Sequence, residues 1–181
     1  MARLPYLDAA DLAAEHRDLL DSPINLRRAL AHSPGALQGF IALALYLRHE
    51  SPLDPRLREL AIIQVGYVSG SAYEYGHHIE IGARVGVTDD DLRSIARETA
   101  GESSDLPPLD RAVLRAAREM TDGCAVSDET WTCLEAALDR TALVDLVMAI
   151  ATYNGVVRIL GALEVDIEPG YESCLERFPL P

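Results

Sequence analysis

Two apolar segments that meet at Ser69-Gly70-Ser71 constrain this chain more than any other feature of it. The first runs from Leu57 to Val68 and the second from Ala72 to Gly86. Neither alternates inside and outside residues as a half-buried strand would, so both read as helices. Asp54-Pro55 supplies a start signal for the first, an acidic cap followed by proline. Glycines at 66, 70, 76 and 82 lie in or beside the pair. Each costs a helix roughly 1 kcal/mol relative to alanine, and close approach of two backbones is the usual compensation. A tight helical crossing is therefore expected here.

The same signals recur along the chain. Pro34 starts a helix that passes through Phe40, Leu43 and Leu47 and stops near Ser51-Pro52. Thr88-Asp89-Asp90-Asp91 caps another that ends about Ala100, and further helices are expected near 109–121, 127–138 and 140–162. Asp8-Ala9-Ala10-Asp11 opens a first helix with acids in its first turn, ended by Asp21-Ser22-Pro23, and a short helical piece follows around 25–31. Residues 101–108, with Pro107-Pro108, form a loop, and the tail with Pro169, Gly170 and Pro179 is expected to be extended. The fold class is all-α, about eight helices. Leu57-Arg58-Glu59-Leu60 and Leu143-Val144-Asp145-Leu146 echo one another, a match short enough to arise by chance.

The length of 181 residues suits one domain, with a motif core at about 35–100 and a helical C-terminal part at about 107–165. A net charge of −13, with sixteen arginines and no lysine, argues against nucleic acid or an anionic membrane as partner. The N-terminus lacks the apolar stretch of a signal peptide, and the longest apolar runs are interrupted by polar residues, so a cytoplasmic location is expected. Cys124, Cys133 and Cys174 form no C-x-x-C, which suits inert thiols in a reducing compartment.

The chemistry-bearing residues cluster in the helical pair. Glu74 and His78 are four apart, hence on one helix face, and Glu59 lies in the neighbouring segment. A carboxylate beside an imidazole, with a second carboxylate from another helix, is an acid–base set. Plainer alternatives stand beside it. Ser71-x-x-Glu74 has the spacing of a capping box; His78 suits a hydrogen-bonded core histidine; Glu59 could pair with Arg56 or Arg58 at the surface. Glu59, Glu74, His77 and His78 offer metal ligands, but adjacent histidines diverge around a helix and no recognised ligand spacing is present, so no metal is expected.

Arg58-Glu59-Leu60, Tyr73-Glu74-Tyr75-x-x-His78 and Ala83-x-x-Gly86-Val87 resemble the carboxymuconolactone decarboxylase family, which includes the alkylhydroperoxidase D-like proteins. Tyr153-Asn154-x-x-x-Arg158 resembles the last long helix of a cofactorless subgroup, which extends the likeness to about two thirds of the chain. In the peroxidase branch a C-x-x-C falls where this chain has Ser71 and Glu74. Serine forms no disulfide and glutamate no thiolate, so that mechanism is not expected. The decarboxylase branch resembles the chain more closely. It implies a cofactor-independent lyase acting on a small lactone or keto acid, in a homotrimer or homohexamer with pockets near subunit contacts. Carried over, it gives Glu59, Glu74 and His78 catalytic roles, with His77, Ser71, Arg58 and Arg84 toward substrate. A non-catalytic, ligand-binding relative is the alternative.

Overall fold

The computed structural model describes residues 2–181, which form nine α-helices and no strand. In chain order these are α1 (Asn25–Leu30), α2 (Pro34–Leu45), α3 (Pro55–Val68), α4 (Ala72–Ala83), α5 (Asp89–Thr99), α6 (Pro108–Gly123), α7 (Asp128–Glu135), α8 (Arg140–Leu163) and α9 (Glu172–Arg177). Their starts follow the local chemistry. Asp54 accepts from the backbone N–H groups of Arg56 and Leu57 with Pro55 in the first turn, Thr88 and Asp91 cap each other's backbone, and Ser127 and Asp139 cap α7 and α8.

Helix α3 is the axis of the molecule. Every residue from Leu57 to Tyr67 is buried, so it is covered on all sides rather than along one stripe. Helices α4, α6 and α8 are packed against it. Gly66 explains the closeness of α3 and α4: a Cβ there would stand 2.9 Å from the backbone nitrogen of Tyr75. Gly76, on the other face of α4, leaves room for Ile167 and Tyr171 of the C-terminal segment. Residues from both the 35–100 and the 107–165 stretches share one apolar core.

Three details differ from the expectations. The N-terminal region is not an α-helix but two 3₁₀ segments, Ala9–Asp11 and Ala14–Leu20. The Asp8–Asp11 capping box closes a single turn, after which Leu12 turns extended. The tail is not wholly extended either, since α9 forms after Pro169-Gly170. Helix α2 gives way to a π-helical turn, Tyr46–Glu50, before Ser51. As for α8, its length and apolarity alone would let it cross a membrane, but it contributes Leu146, Ile150 and Tyr153 to the core. The Leu57 and Leu143 tetrads lie on packed helices yet point to different partners. Glu59 meets His78, whereas Asp145 accepts from Tyr46 and Ser51.

Candidate active site

The hairpin of α3 and α4 places Arg58, Glu59, Glu74 and His78 in one buried chain of polar contacts. Glu59 is 1% exposed, Glu74 3% and His78 4%. The Arg58 guanidinium donates to Glu59 Oε1 at 2.9 Å. Glu59 Oε2 lies 2.6 Å from His78 Nδ1, and His78 Nε2 pairs with Glu74 Oε1 at 2.9 Å. The order is thus arginine, carboxylate, imidazole, carboxylate.

The proton count follows from this arrangement. A neutral imidazole carries one N–H, which would leave the lone pair of its other nitrogen facing a carboxylate oxygen. The imidazolium offers an N–H to each. Burial by itself disfavours the charged ring, but Glu59 and Glu74 outweigh it and raise the His78 pKa to about 9. Burial pushes Glu59 up, and His78 and Arg58 more than reverse this, holding it below the ordinary carboxylate range. Two cations and two carboxylates make the buried set neutral as a whole, the condition under which such charges tolerate a dry site.

His78 and Glu74 reach the wall of a cavity of about 170 Å³. Its other walls are largely apolar and aromatic, with Leu26, Phe40, Ile81, Tyr73, Tyr153 and Val156. Tyr153 stands edge-on to the His78 ring with centroids 4.8 Å apart. Burial, with Glu74 and Glu59 nearby, raises its phenol well above the ordinary tyrosine value. The volume is close to the ~150 Å³ of an apolar cavity that takes up benzene, so a single ring or a short-chain molecule fits.

The residues named from the sequence therefore fall into distinct positions. Glu59 is buried with His78 and Arg58, which corrects the surface-pair alternative; Arg56 pairs instead with Asp91 and Asp110. Arg58 lies behind Glu59 and also donates to the carbonyls of Leu47 and Arg48 in the π-turn, so it positions its neighbours and does not line the cavity. Ser71 caps α4 by accepting from the Glu74 N–H at 3.4 Å and is not part of the cavity wall. Only half of the capping box forms. Ser71 N–H donates to the Gly66 carbonyl, and the Glu74 side chain goes to His78. Arg84 ends α4 at an exposed position away from the cavity.

His77 does line the cavity, but both of its ring nitrogens have protein partners. Nε2 lies 2.6 Å from Glu168 Oε2, and Nδ1 is 3.4 Å from the Tyr171 hydroxyl. Its ring is stacked between those of Tyr73 and Tyr171. Glu168 also accepts from the Asn25 N–H and the Tyr73 hydroxyl, so the C-terminal segment holds His77 and Tyr73 of the cavity wall from behind. The reading of the sequence missed Arg27, Phe40 and Arg48 as cavity residues; they come from α1, α2 and the π-turn respectively. Nothing in their local spacing links them to the hairpin, because only the tertiary fold brings them there.

No group of three or more His, Cys, Asp or Glu side chains among the described residues is arranged to hold a metal ion. The cysteines are free thiols. Cys124 ends α6, Cys133 lies on α7 and Cys174 on α9. None of the three lies on the cavity wall.

Residues 34–119 match the carboxymuconolactone decarboxylase family. Among solved structures, an alkylhydroperoxidase AhpD core protein from Ralstonia eutropha, described as peroxidase-related, superposes with a TM-score of 0.78 at 19% identity, covering 94% of each chain. The debrominase Bmp8, in complex with 2,3,4-tribromopyrrole, gives 0.82 at 16% identity over 98% of this chain and 100% of its own. A protein of unknown function from Agrobacterium tumefaciens gives 0.67 at 20% identity, over 77% of this chain and 94% of its own. At these identities the likeness is one of fold. No curated protein matches the chain. All four members of the buried chain of contacts fall within the matched segment, and over residues 34–119 the protein belongs to the carboxymuconolactone decarboxylase family, in an AhpD-like fold.

Proposed function

We propose that the protein is a cofactor-independent acid–base enzyme that decarboxylates or isomerises a small lactone or keto acid. The observation that carries this reading is the ring of His78, held between two buried carboxylates at the wall of a cavity sized for one ring. Glu59, fixed by Arg58, keeps Nδ1 occupied, so Nε2 and Glu74 are the groups able to exchange a proton with a bound molecule. In a decarboxylation the bond to the carboxyl carbon breaks and its electron pair stays on the adjacent carbon as an enolate. Carbon dioxide leaves, and His78, directly or through Glu74, returns a proton to that carbon. In an isomerisation Glu74 takes a proton from one carbon and His78 supplies one to another.

The second reading, a ligand-binding protein without turnover, rests on the fact that both His78 nitrogens already have protein partners. A panel of β-keto acids and lactone acids, followed by carbon dioxide release and by solvent deuterium incorporation, separates the two. The acid–base enzyme loses at least about a hundredfold in rate in His78→Gln, the low end of the effect of a positioned general acid. Undiminished turnover in that variant, with its assembly intact, refutes the role of His78.

The working assembly is proposed to be a cytoplasmic homotrimer or homohexamer. Helix α2 is apolar along most of its length but buries only Leu37, and Leu45, Val144 and Met148 are also exposed. Tyr46 donates to Asp145, which ties the end of α2 to α8 and sets these side chains on neighbouring elements. A face of this kind needs cover, and a second copy of the chain supplies it.

A further inference from the structure

Arg27 on α1 and Arg48 in the π-turn both line the cavity that His78 and Glu74 reach. In a chain with 29 acidic residues and 16 arginines, these two have no ion-pair partner among the described residues, whereas Arg28, Arg56 and Arg58 close by are all paired. Among the described residues, the Arg27 side chain donates one hydrogen bond, to the Ser22 carbonyl at 3.4 Å. The buried set of Arg58, Glu59, His78 and Glu74 is neutral in sum, so it does not answer these two charges. They stand as an uncompensated cationic pair on an otherwise largely apolar wall.

Arg48 is also held in place. Arg58 donates to the backbone carbonyls of Leu47 and Arg48 at 3.2 and 3.3 Å, which fixes the π-turn from beneath. π-turns of this sort recur at functional sites. Arg48 is exposed and Arg27 half-buried, so one marks the open side of the cavity and the other lies deeper.

We infer that Arg27 and Arg48 form the anion-holding subsite of this cavity, and that its ligand is an organic carboxylate about the size of one ring. Guanidinium groups suit a carboxylate because they can donate two parallel N–H groups to its two oxygens. The ring-sized body follows from the volume and from Phe40, Tyr73 and Tyr153 on the walls. Burial, followed by the repulsion of Arg48, lowers the pKa of Arg27, a cost that a bound anion would relieve. This inference rests on the acid–base reading only in taking the cavity beside His78 as the reaction site.

Binding rather than turnover tests it. Benzoate, its neutral isostere benzamide and inorganic phosphate are titrated calorimetrically into the full-length protein and into Arg27→Gln, Arg48→Gln and Arg27→Lys. Benzoate is expected to bind the wild type and to weaken about tenfold or more in each glutamine variant, the loss of one charge-assisted hydrogen bond. Arg27→Lys, which keeps the charge without the fork, falls between. Benzamide is expected to bind weakly and equally to all four proteins. Benzoate binding that is absent, or unchanged in both glutamine variants, overturns the subsite. Phosphate that binds as tightly as benzoate overturns the ring carboxylate as its occupant. If Arg27→Gln does not fold, Arg48→Gln at its exposed position carries the same test. Loss of turnover in His78→Gln with benzoate binding insensitive to both arginines would remove this subsite and leave the proton chemistry; the reverse pattern would do the opposite.

Discussion

Replacing Glu74 with glutamine removes one of the two carboxylates that flank His78 and keeps the shape of the side chain. The rise of His78 from 6.5 to about 9 corresponds to on the order of 3 kcal/mol in favour of the charged ring. Burial opposes that rise, so Glu59 and Glu74 together supply more than this net amount. Glu59 is the nearer, at 2.6 Å against 2.9 Å. With the two carboxylates at comparable distances, the loss of Glu74 withdraws a substantial share of this, on the order of one pH unit. Histidine labelled with ¹³C in the ring gives five resonances to follow through a pH titration, and the His78→Gln spectrum identifies the one in question. Its midpoint is expected at or below about 8 in Glu74→Gln. A midpoint that stays near 9 would refute the claim that Glu74 helps hold the ring protonated. Glu59→Gln is the harsher control. It leaves Arg58 buried without a charge partner, and a loss of roughly 3–5 kcal/mol in stability is expected there.

Two further outcomes concern stability. Because the folded pKa of His78 lies above its value of 6.5 in the unfolded chain, its contribution is complete below about 6.5 and is lost as pH rises through about 9. Urea unfolding between pH 6 and 10 should therefore show a decline on the order of 3 kcal/mol that is absent in His78→Gln; a flat profile in the wild type would contradict it. Gly66→Ala places a methyl 2.9 Å from the Tyr75 backbone nitrogen, where no flexible side chain can yield. A loss of about 1–3 kcal/mol is expected, read as a drop in Tm of about 2–4 °C per kcal/mol for a chain of this size. An unchanged Tm would mean that α3 and α4 can separate freely.

What could be read from the sequence depended on how local the signal was. Asp54-Pro55 and Thr88-x-x-Asp91 announce helix starts because the capping side chain and the N–H it satisfies lie within one turn. Glu74 and His78 were legible for the same reason, being one turn apart on one helix. The role of Glu74 was not. Its spacing from Ser71 allows a reciprocal cap, and only the packing of α3 beside α4 brings His78, itself held by Glu59, into competition for that carboxylate. The N-terminal segment misled because Asp8 and Asp11 satisfy one turn completely and leave nothing to propagate it. Arg27 and Arg48 were invisible as a pair, since the convergence of α1 and the π-turn on one cavity is a property of the tertiary fold alone.

Arg58 touches nothing that would react, yet one guanidinium holds both Glu59 and the carbonyls beneath Arg48. A lysine in its place has a single ammonium group and cannot span both with the same planar fork. Exchange at this position would disturb the proton-bearing residues and the backbone that presents Arg48 in one event. In evolutionary terms the two halves of the pocket are linked. A descendant could retune Arg27 or Phe40 one at a time, but one that lost Arg58 would have to rebuild its chemistry and its ligand preference together.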